Sequence, residues 1–67
     1  MKINTAHVRF DYMNKDLPFD TNSVEVRAGD VVVVETDYGL DMGLLTEEPF
    51  DQEFDNDQLP LKKILRI

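Results

Sequence analysis

The chain has no cysteine and no tryptophan, only three glycines and three prolines, half as many basic as acidic side chains, and no apolar run longer than four residues. Without cysteine there is no disulfide framework, zinc ribbon or cysteine-ligated iron–sulfur cluster within the chain, and the composition suits a reducing compartment. The longest apolar stretch, Val31 to Val34, falls far short of the ~20 residues that cross a bilayer as a helix. The N-terminal MKINTAHVRFDY carries one early lysine but no apolar core of the signal-peptide kind. A cytoplasmic chain, neither exported by a signal peptide nor inserted in a membrane, is expected. Seven basic against fourteen acidic side chains give a net charge of −7, which repels phosphate backbones, so nucleic acid is an unfavoured partner.

What is present is strand. Sixty-seven residues make one domain, 1–67, and a domain of this size removes only roughly 60% of its unfolded surface from water. HVRFDY alternates Val8, Phe10 and Tyr12 against His7, Arg9 and Asp11, the pattern of a half-buried strand. NKDLPFDTNS reads as an interruption by turn formers, after which Val24 and Val26 resume on one side of Glu25. The turn glycines Gly29, in RAGD, and Gly39, in DYG, sit where a positive φ is needed. LDMGLLT then reads as a strand with Leu40, Met42 and Leu44 on its apolar face and Gly43 on the other, where a missing side chain admits a bend or a crossing strand. Thr46 to Pro60 holds two prolines and six acids in fifteen residues and reads as an acidic loop, 46–60. LKKILRI closes the chain as a strand. The sum is an all-β fold, a five- to six-stranded antiparallel, partly closed barrel of the SH3-like or OB-like kind.

No constellation makes an enzyme. Asp51, Glu53, Asp55 and Asp57 alternate as a calcium loop begins, but the turn position that needs glycine is Asn56 and the closing carboxylate position is Lys62, so no metal is assigned. His7 is the sole histidine, without a serine, cysteine or second histidine in a recognisable arrangement, and reads as a surface residue. The glycines precede strands and do not form a phosphate-cradling run, so no cofactor is assigned. Lys62, Lys63 and Arg66 read as solvation and edge protection.

The order of the pieces HVRF, AGDVVVVETDYGLDMGLL and LPLKKILRI resembles the opening segment of the polymerase-suppressor (PSP-one) C-terminal-domain family, whose bacterial members are the YaaT or RicT proteins. The pattern V-R-F, G-D-x-V-V-V-E-T, G-x-x-x-G, P-L-K-K-x-x-R-I is met by Val8, Arg9, Phe10, Gly29, Asp30, Val32 to Thr36, Gly39, Gly43 and Pro60 to Ile67. The resemblance implies a non-catalytic regulatory subunit that influences RNA processing, with YlbF-like and YmcA-like small helical proteins as partners. The chain departs from the pattern in two ways. It stops where family members continue into an α+β portion, and it lacks the cysteines implicated in iron–sulfur binding, so it reads as a barrel subdomain or a minimal relative and no cofactor is carried over.

Three functions remain from different classes. The first is a protein-interaction module. The second is a single-stranded nucleic-acid-binding barrel, for which Tyr38, Phe50 and Phe54 offer aromatics at loop positions but the charge is wrong. The third is an accessory or viral protein contacting a host factor. The four valines bear on the choice. Val32 and Val34 lie on one side of their strand, Val31 and Val33 on the other, so the strand is apolar on both faces. Leu45 and Ile64 fall opposite their strands' main apolar rows, and the expectation is that Val31, Val33, Leu45 and Ile64 form an external patch that touches another chain, a second copy included, or the remainder of a larger protein.

Overall fold

The computed structural model describes residues 1–67. Six strands form one antiparallel sheet: β1 (Lys2–Arg9), β2 (Asp16–Asp20), β3 (Val31–Thr36), β4 (Gly39–Leu45), β5 (Phe50–Glu53) and β6 (Ile64–Arg66), with a single 3-10 turn at Asn56–Gln58. The strand order is β2-β1-β4-β3-β6, with β5 beside β1. The two ends of that path approach each other. Asp20 at the end of β2 makes a parallel bridge to Lys63, and its N–H donates to the Lys62 carbonyl at 2.9 Å. The all-β, partly closed barrel is thus the observed architecture.

The long first strand organises the fold. β2 pairs with it from Thr5 to Arg9 on one edge. On the other edge β5 pairs over Lys2–Thr5 and β4 over Val8–Arg9. Between those two partners the His7 carbonyl accepts from the Thr46 N–H at 3.1 Å, so the backbone is satisfied where no strand reaches it. At the same place the inward alternation slips: Thr5 and Ala6 are both buried. The Thr5 hydroxyl is satisfied locally by the Ile3 carbonyl at 2.7 Å, and no buried side-chain polar atom lacks a partner.

The first strand ends at Arg9, so that Asp11 and Tyr12, expected within it, form a turn, and three further segments differ from their sequence reading. The stretch expected to be only turns contains β2. Pro18 is tolerated there because β2 is an edge strand, whose outer N–H positions have no ladder to lose, and burial of Phe19 holds it in place. Val24–Val26 is not a strand. Asn22 and Ser23 take φ of 55° and 62°, and the Asn22 N–H donates to the Asp20 carboxylate at 2.7 Å, so the chain turns away from a sheet direction while Val24 and Val26 still pack on the core. Within the acidic stretch 46–60, Phe50–Glu53 form β5, because pairing with β1 outweighs the unfavourable composition.

The core is Ala6, Val8, Phe10, Phe19, Val26, Val32, Val34, Leu45 and Ile64. Phe10 meets Phe19 edge to face at 5.9 Å between ring centroids. Gly29 and Gly39 have φ of 92° and 115°, the positive values that their turns require. At the second, the Thr36 hydroxyl donates to the Gly39 carbonyl at 2.8 Å and fastens the β3–β4 hairpin.

One ion pair carries a pH prediction. Asp16 accepts from the Thr46 hydroxyl and from Arg9 Nε, each at 2.8 Å, and these partners, Thr46 first, hold its carboxyl below the usual aspartate range. A lowered folded value means that the unfolded chain binds more protons across that interval, so the contribution is present above the ordinary carboxylate range and is lost as pH falls through the lowered value. Urea midpoints followed down through the acid range should fall less steeply for Asp16→Asn than for the parent; equal slopes would contradict this assignment.

Candidate functional site on the outward face of the β3–β4 hairpin

The register of the hairpin decides which side chains share a face. Val31 is opposite Leu44, Val33 opposite Met42 and Glu35 opposite Leu40, whereas Val32 is opposite Gly43 and Val34 opposite Asp41. Directly paired residues in an antiparallel ladder point to the same side, so the first three pairs make one row and the other two the opposite one. Val32 and Val34 are fully buried. Val31 is 52% exposed, Leu44 44%, Met42 64% and Leu40 70%, and Val33 is half-buried between them. Arg66 on β6 pairs with Val33 and continues the outward face.

This separates the four residues expected to form the patch. Val31 and Val33 do lie outside. Leu45 and Ile64 do not: they are 1% and 0% exposed and sit in the core. The physical reason for Leu45 is its pairing with Val8, which puts it on the inner side with Gly43. Ile64 pairs with Val34, and a bulge between Val33 and Val34 lets the next pair, Val33 with Arg66, face outward. The same register reverses the expected face of β4. Leu40, Met42 and Leu44 point to solvent and Gly43 points inward.

The inner row of β4 holds a glycine because β1 crosses there. A Cβ on Gly43 would stand 2.4 Å from Val8 Cγ1 and 3.1 Å from both the Arg9 carbonyl oxygen and Phe10 Cε1. The sequence admits a close crossing strand at this position, but a row reading Asp41-x-Gly43 is polar by composition, so Leu40, Met42 and Leu44, the true surface, read as the apolar face.

Beyond Arg9 the first strand leaves β4, and a shallow groove of about 310 Å³ opens between them, lined by Asp11, Tyr12, Val31, Asp41, Met42, Gly43 and Leu44. The Tyr12 ring stacks on the buried Phe10 at 5.6 Å between centroids, and its hydroxyl donates to Asp41 Oδ2 at 2.5 Å. That bond, with a little desolvation and the carboxylate's charge, raises the Tyr12 pKa above the ordinary phenol value. Asp41 Oδ1 also accepts the Met42 N–H at 2.8 Å, so the carboxylate is fixed in orientation. Neither it nor Asp11 has a cation beside it; the ion pairs are Met1 with Glu53, Arg9 with Asp16 and Lys62 with Asp37. Asp37 raises the Lys62 pKa.

The remaining chemistry-bearing residues are spoken for. His7 is half-buried rather than on the open surface; its Nε2 lies 2.9 Å from Gln52 Oε1 and its ring stacks on Phe50. Asp51 and Glu53 lie on an extended strand, Asp55 and Asp57 beyond it, and no group of three or more acidic, histidine or cysteine side chains is placed to hold a metal ion. No helix is long and apolar enough to cross a membrane.

No protein-family model matches the chain, and no match was found among curated proteins or solved structures.

Proposed function

We propose that this protein is a non-catalytic interaction module that binds another protein through the outward face of its β3–β4 hairpin. The observation that supports this best is the row Val31, Val33, Leu40, Met42 and Leu44, apolar and open to solvent on a domain whose other strands present mostly polar residues outward. Such rows are costly to leave in water and are commonly interfaces. Covering ~300 Å² of it at about 25 cal/mol per Å² is worth roughly 7 kcal/mol before association costs, the scale of a small, reversible contact rather than an obligate one. The resemblance to the PSP-one C-terminal-domain family supplies the setting, regulation of RNA processing, and makes YlbF-like and YmcA-like proteins the first partners to offer to the face.

The test is a matched pair of baits, the parent and Met42→Thr/Leu44→Thr. Threonine keeps β propensity and removes apolar area, so the melting midpoint should stay within a few degrees of the parent. Proteins retained by the parent are identified, purified and titrated against both. At least roughly tenfold weaker binding by the variant is expected; a partner that binds both equally, or single-stranded RNA as the only retained species, would refute the proposal.

A further inference from the structure

Resting on that reading, we infer that the partner segment is basic as well as apolar: it places an aliphatic side chain on Val31, Met42 and Leu44 and a lysine or arginine in the groove against Asp11 and Asp41. The groove is mostly apolar wall, with the two carboxylates Asp11 and Asp41 set into it. Asp41 is held by the Tyr12 hydroxyl and the Met42 N–H, so it presents its charge in a fixed place at the edge of the exposed row. Asp11, which lines the same groove, is exposed and forms no ion pair. An arriving cation therefore meets preorganised acceptors and the open face of the Tyr12 ring, which is 70% exposed.

Charge selects among the occupants of an apolar face. A second copy of the chain would bring another −7 and a second pair of carboxylates to the same place, and a nucleic acid would bring phosphates. A basic, apolar segment is complementary to the apolar wall and to the two carboxylates of the groove, and the net charge of the chain hastens its arrival.

The probe is a short labelled peptide of alternating leucine and lysine, with leucine–glutamate and serine–lysine peptides and an oligouridylate as comparators, read by fluorescence anisotropy. Saturable binding of the leucine–lysine peptide is expected, weaker at high salt and well above that of the three comparators. Asp11→Asn/Asp41→Asn should weaken it roughly tenfold. Asp41→Asn keeps one oxygen to accept the Tyr12 hydroxyl and gives up the bond to the Met42 N–H, both of them exposed, so the core is untouched, and the salt dependence of the parent gives an answer independent of that variant. Glu47→Gln/Glu48→Gln, which removes the same charge elsewhere, should leave binding unchanged. If Leu44→Thr weakens binding and the aspartate pair does not, the inference is overturned while the hairpin face stands. If neither weakens it, both fall. Equal binding of the serine–lysine peptide, equal loss in the Glu47/Glu48 variant, or tighter binding of the oligouridylate would also overturn it.

Discussion

Leu45→Ala is expected to bring the domain close to unfolding, whereas Val31→Ala should leave it nearly as stable as the parent. Leu45 is fully enclosed, opposite Val8 on the inner side of the sheet, and its backbone is anchored at both ends: its N–H donates to the Asp30 carbonyl at 2.9 Å and its carbonyl accepts from the Gly29 N–H at 2.8 Å. The site is thus poorly able to collapse around a cavity, and removing the side chain of a buried leucine costs about 2–5 kcal/mol. A chain of this length has about 3–10 kcal/mol in all. Ile64→Ala removes an equally enclosed side chain and should cost a similar amount. Val31 is half in water already and loses little on truncation. Urea unfolding followed by circular dichroism decides the matter, and comparable losses for Leu45→Ala and Val31→Ala would contradict the assignment of inner and outer faces.

Gly43→Ala is expected to destabilise by about 1–3 kcal/mol, the range for forcing extra volume into a packed interior. Two effects compete. Alanine in a strand interior ordinarily gains up to about 1 kcal/mol over glycine through reduced backbone freedom. Here the new methyl would stand 2.4 Å from Val8 Cγ1, on a β-branched side chain with little rotamer freedom, and 3.1 Å from the Arg9 carbonyl oxygen, which is backbone. Relief requires β1 and β4 to separate at the point where they pair, Val8 with Leu45 and Arg9 with Leu44, so packing wins over propensity. Gly43→Val should be worse still. A thermal melt that rises on Gly43→Ala would show that β1 does not cross where the structure places it.

These two positions also show what was legible in the sequence. The alternation in HVRF and VVVVET, the turns at Gly29 and Gly39, and the resulting all-β barrel could be read because each is a local signal. The face of β4 could not. Leu40, Met42 and Leu44 form the better apolar row by composition, and only the register with Val8 and Val32 shows that the poorer row, Asp41, Gly43 and Leu45, is the inner one. The Ile64 difference has the same origin, since a bulge in β6, with Leu65 as its extra residue opposite the Val33–Val34 step, sets which residues of that strand face inward. β2 and β5 were missed because proline and acids argue against strands in isolation, while long-range pairing with β1 supplies what the local sequence lacks. For the groove, the alternation in HVRFDY sets Tyr12 on the row of Val8 and Phe10. The turn after Arg9 instead swings it out to Asp41, twenty-nine residues away.

The most direct test of the partner-binding face is a residue-by-residue map of contact. The isotopically labelled chain, titrated with a purified partner or with the leucine–lysine peptide, should show amide and methyl shift changes concentrated at Val31, Val33, Leu40, Met42 and Leu44 and extending to Tyr12 and Asp41. Changes centred on β2 and β5, with the β3–β4 hairpin silent, would contradict the account.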